Sequence, residues 1–379
     1  MKYVLFFLLL SSCIQANATV TNVGKTTIKS SNKEKIVIAH RGASGYLPEH
    51  SIAAKTMAHA MSVDYIEQDV VMTKDDQLVV LHDIYLDRVT DVAAKFPERK
   101  RADERYYVID FSLAEIQTLA MTEGFSLKDG KTAANFPQRF PLWQSTFKVH
   151  TLADEIELIQ GLNHSMGKDI GIYPEIKSPA FHLNQGKDIT KAVLLELKRY
   201  GYVNKASRAI VQSFDPVTLK RIKYELFAEL NMQLKLAQLI AMTSWQETPI
   251  YLDEPTQQTI TQQLRTQKAK LIFYDYDWML TPSAMTEIAK YADAIGPWKP
   301  MLVNVDANTN KASSNGLVEA AHEAGLFVHP YTFRADEGRI PEFAKDFDDL
   351  LRIYYFELGV DGVFTDFPDK AVNFLQKID

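Results

Sequence analysis

The strongest constraint on this 379-residue chain is a rhythm of short β-branched runs separated, for the most part, by amphipathic helical stretches. The runs are IVIAH (36–40), YIEQDVV (65–71), QLVVLH (77–82), IGIYPEI (170–176), SRAIVQSF (207–214), LKLAQLI (234–240), DAIGPW (293–298), LFVHPY (326–331) and VDGVFTDF (360–367). Helical patterns lie at 151–162, 188–201, 215–229, 283–294, 315–325 and 341–359. Strands alternating with helices specify βα units and a parallel sheet. Only Met72 to Asp76 separates the second run from the third. A parallel crossover needs a dozen or more residues, so these two must pair as an antiparallel hairpin. Removing the hairpin strand leaves eight parallel strands, the count of an α/β (β/α)8 TIM barrel.

Residues from about 83 to 149 break the alternation and read as an insertion after the second barrel strand and its hairpin, capping one end of the barrel. The insertion holds a charge run (Glu98-Arg99-Lys100-Arg101), read as a solvated turn, one helix-like piece (112–120) and a loop (KDGKTAANFPQRF). Ahead of the barrel, Met1-Lys2 and the eight apolar residues Tyr3 to Leu10 have the form of a signal peptide. That run is too short to span a bilayer, which takes ~20 apolar residues. Cleavage after Ala16-Asn17-Ala18 gives a signal peptide 1–18. Alternatively, Leu10-Ser11-Ser12-Cys13 resembles a lipobox, with a lipoprotein signal 1–12 and an acylated Cys13. Residues 19–35 are polar and without period, a flexible tether to a barrel domain at 36–379. The expected location is the periplasm, with an outer-membrane anchor if Cys13 is acylated. Cys13 is the only cysteine, so no internal disulfide forms and any metal site must use oxygen or imidazole ligands. A net charge of −6 lacks the basic footprint of a nucleic-acid binder.

Barrel active sites lie at the C-terminal ends of the strands. The first strand ends in His40-Arg41-Gly42, and the hairpin strand in His82-Asp83. The second strand carries Glu67 and Asp69, two apart and therefore on one side, and the next carries Glu175 and Lys177. Buried unpaired, each carboxylate would cost several kcal/mol, and together they would raise one another's pKa. A bound cation removes both costs, and an all-oxygen set favours Ca2+ or Mg2+. Histidines at the rim suit proton transfer near neutral pH. Arg41 and Lys177 suit an anionic substrate. Phe214 and Trp298, also at strand ends, are candidates to shape a substrate pocket, and Gln212 to face the mouth. Each signal is weak alone, because alternating acids often line a solvent face; joint placement at successive strand ends carries the argument.

HRGASGYLPEHS (40–51), EQD (67–69), VVLHD (79–83), PEIK (174–177), VQSF (211–214), VHPYTF (328–333) and DGVFTDFPD (361–369) together resemble the glycerophosphodiester phosphodiesterase family, in order, from Ile36 to the C-terminus. VHPYTFRAD and the export signal are most similar to its periplasmic, calcium-dependent branch. The resemblance implies hydrolysis of deacylated phospholipids such as glycerophosphocholine to sn-glycerol 3-phosphate and an alcohol. It implies a metal held by Glu67, Asp69 and Glu175, His40 and His82 as the acid–base pair, and Arg41 and Lys177 on the phosphate. Asp366 reads either as a residue supporting the site from behind or as a cap for the last helix, the cap being favoured, and Glu49 and His50 as the start of the first. His59, His150, His164, His182 and His322 fit no strand end, and His329 reads as a core histidine.

Three competing readings are a barrel phosphodiesterase of sphingomyelinase D type, a glycosidase using Glu67 and Glu175, and a non-enzymatic surface lipoprotein. The intact set of seven polar residues argues against the last. The expected partner is a small glycerophosphodiester, with no nucleic acid and no membrane contact beyond an N-terminal lipid.

Overall fold

All eight parallel runs become barrel strands: β1 (Ile36–Ala39), β2 (Tyr65–Met72), β3 (Gly171–Ile176), β4 (Ile210–Ser213), β5 (Lys235–Ile240), β6 (Ala294–Pro297), β7 (Phe327–Val328) and β8 (Gly362–Thr365). This computed structural model describes residues 35–128, 131–251 and 271–378. The leader, Cys13 and the tether up to residue 34 lie outside the described residues. In space the strands run β7-β6-β5-β4-β3-β2-β1-β8, every neighbouring pair parallel. Main-chain hydrogen bonds from Asp361 to Val328 and from Phe364 to Pro330 bring the two ends together, so the barrel is nearly closed. The short strand Leu78–Val80 pairs antiparallel with β2, Val70 facing Val80, as the five-residue connection requires.

Two layers of side chains fill the barrel. Ile38, Tyr65, Tyr173, Ile210, Ala237, Ala294 and Phe364 form an apolar plug inside it. Glu67, Glu175 and Gln212 each follow a plug residue by two positions, so they stand one layer nearer the C-terminal ends. Outside the barrel, Ile66, Val70 and Ile172 pack with helix residues such as Leu194 and Ile288. Each buried side chain of this size contributes roughly 1.5–3 kcal/mol.

The helix Leu152–Met166 begins on a reciprocal cap between Thr151 and Asp154 and stops at Gly167, at φ 63°. The expected helix over 341–359 starts only at Phe347, where the Asp346 carboxylate accepts the Asp349 N–H; residues 342–346 form turns and bends. Among the described residues, no helix is long and apolar enough to cross a membrane.

The segment after the hairpin strand has its own small core of Leu86, Val89, Phe111, Ile116, Leu119 and Met121, which continues onto Val71 and Val79. Its expected loop contains a β-hairpin, Phe125–Lys128 against Lys131–Ala134. The charge run is not simply solvated. Arg99 bonds Glu115 at 2.9 Å and Arg101 bonds Asp110 at 2.7 Å, tying the segment to itself.

His329 is buried inside the barrel, with Nδ1 3.1 Å from the Tyr173 hydroxyl. Burial holds its pKa down to about 4, against the partial opposition of Asp361. The unfolded chain takes up this proton at about 6.5. The stability that His329 contributes is therefore complete above pH 6.5 and lost as pH falls towards 4, on the order of a few kcal/mol. His329→Gln keeps a partner for Tyr173 but does not titrate. Thermal unfolding between pH 7 and pH 4 is expected to show a shallower fall in Tm for this variant than for the wild type.

Candidate active site

Strand register assembles the mouth. Asp69 on β2 pairs in register with Glu175 on β3, and Glu175 with Gln212 on β4. Ligand oxygens of Glu67, Asp69 and Glu175 lie within 4.8 Å of one another, all three residues buried. Gln212 donates to Glu67 Oε1 at 3.0 Å. At the end of β1 the chain turns through two left-handed residues, Arg41 at φ 59° and Gly42 at φ 82°. A Cβ on Gly42 would lie 2.8 Å from the Ala54 carbonyl carbon, so only glycine fits there. The turn points the Arg41 N–H at Glu67 Oε2, 2.9 Å away.

The two rim histidines are both oriented by carboxylates. His40 Nδ1 lies 2.5 Å from Asp366 Oδ1, and its Nε2 is 3.8 Å from Glu67 Oε2. His82 Nδ1 lies 2.5 Å from Asp83 Oδ1. Burial would raise the pKa of Asp366, but Arg334 and His40 hold it well below the carboxylate range; Asp83 is likewise lowered, by His82 and Arg88. An ionised carboxylate only accepts, so each Nδ1 carries the hydrogen and each Nε2 is left for chemistry. Burial, then the charges of Arg41 and Lys177, push His82 down to about 3. Burial also lowers His40.

The acids divide. Burial and the neighbouring Asp69 charge raise Glu67, and burial raises Glu175 despite Lys177, whose Nζ is 2.8 Å away. For Asp69, Lys177 and His50 outweigh burial and hold it well below its ordinary value. Asp69 Oδ1 is buried without a hydrogen-bond partner. Carboxylates forced together, with one oxygen unclaimed, are what a cation site looks like when written in protein atoms alone, so the triad fits a metal ion.

A cavity of about 200 Å³ opens over these groups. His40, Arg41, His82, Glu67, Asp69 and Glu175 line it, as do Gln212, Phe214 and Trp298. Lys177 stands beside it, 5.7 Å from the Phe214 ring. His59, His150, His164, His182 and His322 do not line it; His150, for example, bonds Glu155, which pairs with the buried Lys55.

Three expectations need correcting. Asp366 is not a helix cap but the partner of His40, and it also binds Arg139 and Arg334. Glu49 and His50 do not start the first helix, which begins at Ile52 on a Ser51 cap. Instead Glu49 bridges Arg41 and Arg88, and the buried His50 contacts Asp69 Oδ2 at 2.7 Å. Their local signal was a polar pair wedged between Pro48 and the cap serine, too short to be helix.

Two carboxylate-anchored imidazoles, an acidic triad fit for a cation, and the cationic Arg41 and Lys177 thus meet at one barrel mouth. Residues 40–370 match the model of the glycerophosphoryl diester phosphodiesterase family, and the chain belongs to that family. It is 50% identical over 359 residues to the glycerophosphodiester phosphodiesterase of Haemophilus influenzae, covering 94% of this chain and 93% of the relative. It is 41% identical over 345 residues to the enzyme of that name from Treponema pallidum, covering 91% and 92%. Among solved structures, a phosphodiesterase of Oleispira antarctica in complex with the product sn-glycerol-3-phosphate is similar in fold, with TM-score 0.56, 18% identity and coverage of 90% and 96%.

Proposed function

We infer that this chain hydrolyses glycerophosphodiesters, deacylated phospholipids such as glycerophosphocholine, releasing sn-glycerol 3-phosphate and an alcohol. The observation that carries the reading is the meeting of the triad, both Nδ1-anchored histidines and Arg41 around one cavity, in a chain of this family. Glu67, Asp69 and Glu175 would hold a divalent cation, which when bound supplies Lewis-acid polarisation of phosphate oxygens. Hard oxygen ligands and the likeness to the calcium-dependent branch support Ca2+.

The chain's own residues do the rest. Arg41 and Lys177 attract and orient the phosphate. Phe214 and Trp298 wall the cavity and bound the space open to the glycerol. One of His40 and His82 takes a proton from the attacking hydroxyl, and the other gives one to the leaving oxygen. Both are lowered in the free protein, His82 in part by Arg41 and Lys177. Phosphate charge seated between those two cations would offset that part of the lowering of His82.

Incubation of residues 19–379 with glycerophosphocholine is expected to release glycerol 3-phosphate with added Ca2+ and to stop on chelation. Release that survives chelation would sink the cation assignment, and no release in either condition would sink the substrate class.

We further propose that the chain is exported to the periplasm, on the strength of Met1-Lys2 and the apolar run to Leu10, and that Cys13 is acylated there. Cys13→Ser should then move the protein from membrane to soluble fractions. Unchanged fractionation would favour cleavage after Ala18 instead.

A further inference from the structure

A second cavity, of about 390 Å³, adjoins the first across a shared wall of His40, Arg41 and Arg334. The barrel strands build the first cavity, whereas residues of the segment after the hairpin strand wall much of the second: Glu123, Gly124, Asn135, Phe136 and Arg139. Displacement at a phosphodiester sends the leaving oxygen away from the attacking one, so the two halves of the substrate need separate space. With the glycerol half against Phe214 and Trp298, the second cavity is the space beyond His40.

We propose that this second cavity is the subsite for the leaving alcohol, and that it selects polyhydroxylated alcohols over amino alcohols through Glu123. The proposal rests on the phosphodiesterase reading above and deepens it.

Glu123 is 2% exposed, and its Oε2 is buried without a hydrogen-bond partner. A buried carboxyl oxygen left unpaired is costly, and a ligand that bonds it recovers that cost. Burial, reinforced by the Glu49 charge, lifts the Glu123 pKa to about 8, so at neutral pH it is a neutral acid with one donor and spare acceptor capacity. That suits a hydroxyl, which both donates and accepts. Asn135 adds an amide on the same wall, its Nδ2 3.3 Å from where a Cβ on Gly124 would sit.

A cationic headgroup finds no comparable welcome. Five guanidinium groups line the cavity: Arg41, Arg88, Arg139, Arg334 and Arg339. Among the described residues that line it, the one phenyl ring, Phe136, is already faced by Arg139 at 3.8 Å, Arg339 at 5.3 Å and Arg334 at 5.7 Å. The ring is therefore not open to cage a quaternary ammonium group. The carboxylates opposite are also engaged, Glu49 with Arg41 and Arg88, and Asp366 with Arg139 and Arg334.

The test compares kcat/KM for glycerophosphoglycerol and glycerophosphocholine, with Ca2+, in the wild type, Glu123→Leu and Glu123→Gln. The wild type should favour glycerophosphoglycerol. In Glu123→Leu the ratio of the two constants should fall about tenfold, the worth of roughly one hydrogen bond. Glu123→Gln, still a donor and an acceptor, should restore most of it. The Tm of Glu123→Leu should fall little, because Oε2 has no partner in the protein and the carboxyl gives up only its contact with the Gly124 N–H. Hydrolysis of both substrates at an unchanged ratio would overturn the subsite and leave the phosphodiesterase reading standing. A selective loss on glycerophosphocholine would overturn it in favour of a cation site. An equal loss on both with a lower Tm would reduce Glu123 to a structural role and overturn it too. Hydrolysis of neither substrate by the wild type would overturn the phosphodiesterase reading and this proposal with it.

Discussion

His40→Ala and His82→Ala are each expected to lower kcat by about 10²–10⁴, the usual worth of a positioned acid or base. The affinity for substrate should change far less, because Arg41 and Lys177 hold the phosphate in the proposed arrangement. Neither histidine is placed by chance. The charge of Asp366, kept ionised by Arg334, His40 and Arg139, fixes the His40 tautomer, and Asp83 does the same for His82. Both imidazoles, each anchored at Nδ1, thus line the same cavity before any substrate arrives. Alanine removes the proton carrier, and the strands beneath do not depend on it, since the apolar plug lies one layer below. Steady-state kinetics with glycerophosphocholine, alongside circular dichroism to verify folding, gives the answer. A near wild-type kcat in either variant would refute the acid–base assignment of that residue.

Much of this arrangement was legible because its signals are local. The alternation Tyr65-Glu67-Asp69 already says that two acids share the inner face of a strand, and the five-residue gap after Val71 already says hairpin. Strand periodicity also carries Gln212 to the same mouth as Glu175, with which it pairs in register, and Phe214 to the wall of the same cavity. What escaped was long-range. Asp366 sits two residues before a helix-starting proline, and nothing near it announces a histidine 326 positions away. His50 looks like the start of a helix until a left-handed φ of 60° turns it under Asp69. Glu123 is buried by a segment whose path the barrel pattern does not dictate. The pairing of 125–128 with 131–134 did have a signal, since the sequence between the two runs is Asp-Gly, a dipeptide favoured in hairpin turns.

Asp69→Asn is expected to weaken Ca2+ binding by more than about 100-fold, whereas His50→Phe should cost about 10–100-fold. The gap follows from what each residue touches. Asp69 contributes an oxygen to the triad itself and carries the charge most firmly held there, with Lys177 and His50 keeping it ionised. His50 meets no ligand space; it holds Asp69 Oδ2 at 2.7 Å and so sets where Oδ1 points. Loss of such an outer partner costs a metal site about 10–100-fold, and loss of a direct oxygen ligand exceeds that. The side-chain amide that Asp69→Asn introduces would keep an oxygen but remove the charge that opposes a divalent ion. Calorimetric titration of both variants and the wild type separates the roles. Equal losses would place His50 in the site itself. Unchanged Ca2+ affinity in Asp69→Asn would remove this carboxylate from the ligand set, and would leave three crowded acids beside Lys177 to be explained by the protein alone.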